Sequence, residues 1–461
     1  MGRELPWSRR SFLTRAAAGT GSLFFPWRAK AASLFGSKRR MFEAEDAIDG
    51  HKIVPITSGL GSTGDIYAEL GLTPMVNING TLTVIGGSVM RPEVMELIRM
   101  GNEHCVSIDD LEIAAGKYIA KLCKSPAGYT GLVTGGAAAA LVVGYAGMMT
   151  EDLEPRIRTI PNVTDFPRTE VIIQKSHRYP FDHQIRQTGA KLVEVETREE
   201  MIAAINPKTL AIHFTNILSD GGQVSGPETV AIAKAHGLYT FNDAAADVPP
   251  RERLWEYPAL GFDFVAFSGG KDIRGPQASG VLIGKEELIH YALLNMSPQE
   301  DRIGRPCKVG KETIFGLLKA LELFVNEDFD QSIQRYDDRA AVISKAVARF
   351  GVTALPRQFN PQALGNVTPY YSWHIDSAKL DITGPEVMKQ LAETKPLAIG
   401  AMGSNAGGMR GRDPNPSDEH HEHHRPRNPQ AFGFTLWQLK EGEDKIIADR
   451  LVEIFSNARK A

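Results

Sequence analysis

Regular alternation between short apolar runs and amphipathic stretches constrains this chain more than any other feature. The runs YTGLVT, EVIIQ, KLVEV, TLAIHFT and LYTFND are separated by AAAALVVGYAGMM, FDHQIRQTG, REEMIAAIN and PETVAIAKAHG. A further run, FDFVAFS, stops at Ser268-Gly269-Gly270 before a lone Lys271. Strands separated by helix-length segments pair through crossovers, which predicts a mostly parallel sheet covered by helices on both faces. The expectation is therefore an α/β large domain over residues 72–305. From about Lys308 long helical segments lead into the β-like YSWHID and AFGFTLWQL and a closing helix. This predicts a smaller α+β C-terminal domain over 306–461. Its Pro-, His- and charge-rich insert at 408–430 reads as an exposed loop. Residues 32–71 read as a linker and N-terminal arm.

A chain of 461 residues, 42% hydrophobic and 23% charged, can bury two cores. No apolar run approaches the roughly 20 residues a membrane span needs. Cys105, Cys123 and Cys307 are odd in number and widely spaced, so they are expected as small buried hydrophobes rather than a disulfide framework or a zinc site. At the N-terminus Arg9-Arg10 precedes Phe12-Leu13, a mildly apolar stretch and the small residues Ala29 and Ala31. That order resembles a twin-arginine signal peptide over residues 1–31 and predicts a periplasmic or otherwise exported protein. The alternative is a basic tail on a cytoplasmic one. Removing the segment takes away six basic residues and one acidic one, moving the formal charge from −3 to −8. An acidic chain has no global attraction for nucleic acid, and none is expected as a partner.

Open parallel sheets bind ligands beyond the carboxyl ends of their strands. Four predicted positions fall there. Gly135 and Gly136 follow the first run and open a helix near Ala137, where backbone N–H groups and the helix dipole favour an anion such as phosphate. Asp243 ends LYTFND, where its carboxylate either caps the Ala-rich segment after it or pairs with a protonated ring nitrogen. Lys271 ends an apolar strand, where lost hydration lowers its pKa and makes its amine a usable nucleophile. Ser268 adds a hydroxyl near the same anion. His177, after EVIIQ, either closes a turn or lies flat against a planar ring. Phosphate cradle, pyridinium partner, reactive lysine and stacking ring together are what pyridoxal 5'-phosphate requires of a protein. On this reading the glycines beside Lys271 make room for the cofactor ring. The spacing G-x-G-x-x-G of a dinucleotide site is absent from TGGAAAA.

The stretches NINGTLTVIGGSVM, LVTGGAAAAL, FNDAAADVPP, FSGGKDIRGPQASGVLIGKEELI and GEDKIIADRL resemble those of fold-type I pyridoxal-phosphate enzymes. Within that fold they are similar to the family of bacterial selenocysteine synthase and D-glucosaminate-6-phosphate ammonia-lyase. The likeness runs from about residue 70 to the C-terminus. It implies Lys271 as the Schiff-base lysine, Asp243 as the pyridine-nitrogen partner, and Gly135 and Gly136 with Ser268 as phosphate ligands. His177 as the stacking ring is a looser match. It also implies a homodimer or higher homo-oligomer. The acidic, export-type chain lacks a tRNA-binding N-terminal domain, which favours the lyase branch. The expected activity is α,β-elimination on a β-hydroxy amino acid or amino sugar acid, giving a 2-oxo acid and ammonia. The alternative is a pyridoxal-phosphate transferase on the same scaffold, moving selenium, sulfur or an amino group. Arg274 and Arg412, with Arg410, Arg425 and Arg427, are candidates for the substrate carboxylate. The histidines of DEHHEHH are read as solvated loop residues, and no metal is expected.

Overall fold

The computed structural model describes residues 56–359, 366–394, 398–400 and 428–459, with two short strands at 47–48 and 51–52. The signal-like segment 1–31, Arg410, Arg412, Arg425, Arg427 and the four histidines of the insert lie outside the described residues. Residues 1–72 form one compact unit and 73–461 another. In the first, Ala47–Ile48 pairs antiparallel with His51–Lys52. The helix Ile66–Glu69 is capped there by the Asp65 carboxylate, which accepts from the Ala68 N–H at 3.0 Å.

The second unit is built on a seven-stranded sheet. Its strands in chain order are β1 (Tyr129–Thr134), β2 (Glu170–Gln174), β3 (Lys191–Val195), β4 (Thr209–Thr215), β5 (Tyr239–Asp243), β6 (Phe264–Ser268) and β7 (Gly280–Lys285). The spatial order is β1-β7-β6-β5-β4-β2-β3, and β2 to β6 pair parallel. β7 runs antiparallel to both β1 and β6, because the chain turns straight back after Lys271 instead of crossing over through a helix. Every residue of β4 is buried, as expected of a strand covered on both faces.

The helices that matter below are α1 (Pro92–Gly101), α2 (Ala137–Thr150), α3 (Lys311–Val325), α4 (Phe329–Val347) and α5 (Glu443–Asn457). Almost all of α2 is buried, so it shows no polar face and lies inside the core. Its neighbours force small residues. A Cβ on Gly280 would stand 2.5 Å from the Gly136 carbonyl carbon and 2.8 Å from the Ala137 nitrogen. Gly280→Ala is therefore expected to destabilise the protein by about 1–3 kcal/mol and to loosen whatever anion the 135–137 turn holds. A lower thermal midpoint together with weaker cofactor retention on gel filtration checks this.

A second core surrounds the antiparallel strands β8 (Val352–Ala354), β9 (Gln358–Phe359), β10 (Pro369–Ile375) and β11 (Ala431–Thr435), with β10 central. Alternate residues of β10 are buried, and Trp373 stacks on Phe432 at 5.6 Å and meets Phe434 at 5.0 Å. Helices α4 and α5 cover it. The division between the two cores does not fall at 305/306. Helix α3 puts Ile314, Leu317, Leu321 and Phe324 into the first core, whereas Val76 and Ile78 join the second. Val76 gets there because Met75–Val76 pairs parallel with Ala398–Ile399. The stretch NINGTLTVIGGSVM that follows carries a 3-10 turn at Thr83–Ile85. Cys123 is buried as expected, but Cys105 is exposed and Cys307 half-buried.

Candidate active site

The register of the sheet brings the sequence candidates to one edge. Gly280 lies opposite Thr134 on one side and Ser268 on the other, so the Gly135-Gly136 turn and the end of β6 flank the same residue. Asp243 pairs with Ala266 and Thr215. Beyond the strand ends the chain keeps this pairing, with the Ala244 N–H donating to Ala266 O at 3.0 Å and the Ser268 N–H to Ala245 O at 3.3 Å.

Gly136 adopts φ 120°, a conformation that disfavours any residue with a Cβ, and precedes α2 with no side-chain cap. Open space surrounds the position where its Cβ would stand. The first N–H groups of this 14-residue helix have no capping side chain. The glycines beside Lys271 have a different purpose from the one expected. A Cβ on Gly269 would meet Ser279 Oγ at 2.3 Å, and one on Gly270 the Gln277 Cα at 2.6 Å. They let the 269–279 loop fold back on itself, with Gly269 N–H donating to Ser279 O and Gly275 N–H to Gly269 O, both at 2.8 Å. The Ser88 hydroxyl donates to Gly270 O at 2.9 Å, which ties NINGTLTVIGGSVM to the lysine loop.

Burial pulls the Lys271 amine below its ordinary value, while Asp243, Asp247 and Asp272 pull it back up. Asp243 is buried, and burial raises its carboxyl. Hydrogen bonds from the Tyr179 hydroxyl to Oδ2 and from the Ala245 N–H to Oδ1, the latter at 3.0 Å, hold that rise in check. The Ala245 contact is an Asx turn; no helix follows for Asp243 to cap. Asp247, four residues on in the same FNDAAADVPP stretch, was not foreseen. It is fully buried, both its carboxylate oxygens lack a hydrogen-bond partner among the described residues, and burial with the nearby Asp243 charge raises it to about 7. Tyr179 was also missed, although it stands two residues from His177.

His177 itself has no open ring face. It is completely buried, its Nδ1 accepts from the Thr215 N–H at 3.3 Å, and Phe214 meets it edge-on at 4.7 Å. A Cβ on Gly222 would stand 2.5 Å from its Nε2. The stacking role expected of His177 is thus corrected: it locks the turn after β2, and burial lowers its pKa to about 4. Tyr179, carried by that turn, is the ring that reaches Asp243.

Arg274 does not join the Lys271 constellation. It lines a separate cavity together with Asp272. Asp272 accepts from Thr368 Oγ1 at 3.0 Å and Asn366 Nδ2 at 3.2 Å, linking the lysine loop to the second core. Burial raises its carboxyl from 3.8 to about 7. Between those values the folded protein holds a proton that the unfolded chain has released, so stability falls as pH rises through the window. Asp272→Asn has no proton to release. Its unfolding free energy relative to the parent is expected to grow from pH 4 to about 7 and level off above. Urea titrations across that range check it, and a pH-independent difference would refute it.

With this geometry in place, comparison with known proteins gives a consistent picture. Residues 175–298 match the aminotransferase class-V family model. D-glucosaminate-6-phosphate ammonia lyase of Salmonella typhimurium is 30% identical over 56% of this chain and 70% of its own length. A 5'-C-glycyluridine monooxygenase-decarboxylase of a Streptomyces species is 29% identical over 55% of this chain and 64% of its own. L-seryl-tRNA(Sec) selenium transferase of Serratia proteamaculans is 27% identical over 62% and 65%. A solved structure of D-glucosaminate-6-phosphate ammonia-lyase superposes with a TM-score of 0.69 at 25% identity, covering 86% of this chain and 99% of the other.

Proposed function

This chain belongs to the fold-type I pyridoxal-phosphate family of D-glucosaminate-6-phosphate ammonia lyase and selenocysteine synthase, and from that premise we propose that it is an α,β-eliminating ammonia-lyase. Its cofactor is pyridoxal 5'-phosphate, and the residues at the sheet edge fit that group. The uncapped start of α2 beside Gly136 offers N–H donors to a phosphate. Asp243 offers a buried carboxylate to a pyridinium, and Lys271 an amine depressed by burial.

The observation that carries the reading is the meeting of half-buried Lys271 with the buried Asp243 and Asp247 at one edge of the sheet. When bound, the cofactor supplies an electron sink for charge developing at the substrate's Cα. Asp243, oriented by Tyr179 and the Ala245 N–H, is the residue that would keep the ring nitrogen protonated. Lys271 Nζ takes the proton from Cα, and burial favours the neutral form of the amine that a base requires. Loss of the β-hydroxyl as water and uptake of one water by the resulting imine then give a 2-oxo acid and ammonia. The substrate class is a β-hydroxy amino acid or an amino sugar acid, supported by the likeness to D-glucosaminate-6-phosphate ammonia lyase. Transfer of selenium or sulfur to the same carbon is the second reading, supported by the likeness to selenium transferases.

Incubating the purified protein with D-glucosaminate and a panel of β-hydroxy amino acids, and assaying 2-oxo acid and ammonia, tests the proposal. Turnover on none of them would overturn it. The reading extends to an exported homo-oligomer. Export is supported by the order of Arg9-Arg10, Phe12-Leu13 and Ala29. Retention in the cytoplasm after Arg9→Lys with Arg10→Lys would bear that out, and light scattering of the pure protein reads the oligomer size. Among the described residues no helix is long and apolar enough to cross a membrane.

A further inference from the structure

Asp247 has no part in the reaction proposed above, yet its place in the fold is specific. It is fully buried, and neither carboxyl oxygen has a hydrogen-bond partner among the described residues. Backbone contacts fix where it stands. The Asp247 N–H donates to Ala244 O at 3.1 Å and closes a turn. That turn lies against the end of β6, since the Ala244 N–H donates to Ala266 O at 3.0 Å and the Ser268 N–H to Ala245 O at 3.3 Å. Lys271 follows three residues after Ser268. On the other side Arg253 Nη1 donates at 2.9 Å to the Asp247 carbonyl rather than to the carboxyl.

The groups that interact with this carboxyl come from four elements: Asp243 at the end of β5, Lys271 after β6, Asn216 after β4, and Arg253 with Tyr257 on the helix Arg253–Ala259. Burial and the Asp243 charge hold a proton on Asp247, whereas Arg253, Asn216 and Lys271 favour its release. With its pKa at about 7, Asp247 changes charge near neutrality. Three carboxyls favour the charged form of Lys271: Asp243, Asp247 and Asp272. In the proposed reaction Asp243 faces the ring nitrogen, and Asp272 already accepts from Thr368 and Asn366. Of the three, Asp247 has both oxygens uncommitted among the described residues. Nζ becomes an ammonium on taking the Cα proton, and a part-buried positive charge is favoured by an anion beside it.

We propose that Asp247 is the counter-ion of Lys271, a positioning residue that acts through Nζ: it favours a proton there before substrate enters and stabilises the ammonium formed when the Cα proton moves. The inference rests on the lyase reading, in which Lys271 both links the cofactor and acts as the base.

In the cofactor-loaded protein the visible absorbance reports whether the Lys271 nitrogen carries a proton, so its titration with pH tests the assignment without substrate. Asp247→Asn is expected to lower the apparent pKa of that nitrogen by about one unit, the effect of removing a nearby opposite charge. The two spectra should coincide well below pH 7, where Asp247 is protonated, and diverge above it, with the parent keeping its proton to higher pH. Asp247→Glu restores the charge and should recover most of the shift. Asparagine matches aspartate in size and removes a carboxyl that burial disfavours, so the thermal midpoint of Asp247→Asn should be no lower than the parent's. Turnover should fall about tenfold in kcat with KM changed less, because the carboxylate serves Lys271 rather than the substrate. An unshifted titration in Asp247→Asn, or an equal shift in Asp247→Glu, would overturn the proposal. A shifted titration in a protein that turns over none of the candidate substrates would support the pairing with Lys271 while overturning the lyase reading.

Discussion

Lys271→Ala is expected to abolish the visible absorbance of the lysine-linked cofactor and to lower turnover by at least about 10³-fold. The side chain is both the attachment point and the base in the proposed reaction, so its loss removes two functions at once. Borohydride treatment of the parent should label one peptide, the one containing Lys271, and leave the variant unlabelled. The fold itself should survive, because the loop around Lys271 is held by backbone contacts such as Gly269 to Ser279 and Gly275 to Gly269, which the substitution does not touch. A variant that keeps its absorbance, or a parent labelled on another lysine, would remove the basis of the proposed chemistry.

Asp243→Asn is expected to keep the cofactor attached but to lose about 10²- to 10³-fold in turnover, the usual cost of removing one electrostatic stabiliser of the transition state. An amide can still accept from the Ala245 N–H through its oxygen, and its NH2 can donate to the Tyr179 hydroxyl oxygen, so the local geometry should persist. What it cannot do is hold a proton on a pyridine nitrogen. Burial already disfavours the charged form of Asp243, and the apoprotein should therefore be no less stable with asparagine there. Lost turnover with retained absorbance and an unchanged or higher thermal midpoint distinguishes this electrostatic role from a structural one. Equal losses of stability and activity would point to a packing role instead.

Asp243 and Lys271 were legible in the sequence because each sits where an apolar run breaks off, and a polar residue at such a break in an alternating pattern falls on the binding edge of the sheet. Gly135 and Gly136 were legible for the same reason. Tyr179 and Asp247 were not. Tyr179 looks like any turn tyrosine after EVIIQ, and only the pairing of Thr215 with Asp243, with His177 locked against Thr215, carries its hydroxyl to the carboxylate. Asp247 follows three alanines in an irregular stretch, where period offers no guide to burial. The glycines around Lys271 show the converse error. Their presence was plain, but whether they clear space for a ligand or for the loop itself depends on Ser279 and Gln277, which close on them only after folding.

By itself the sequence determined the mostly parallel character of the sheet and the strand ends at which the candidate residues gather, because hydrophobic period and chain order are local properties that survive without coordinates. Tertiary structure alone decided which residues face one another across those ends. It buried His177 in a turn and brought Tyr179 to Asp243, set Asp247 within the field of Lys271, and turned Arg274 to the wall of another cavity. Burial and charge pairing are sums over neighbours brought together from distant parts of the chain, and no window along the sequence contains them.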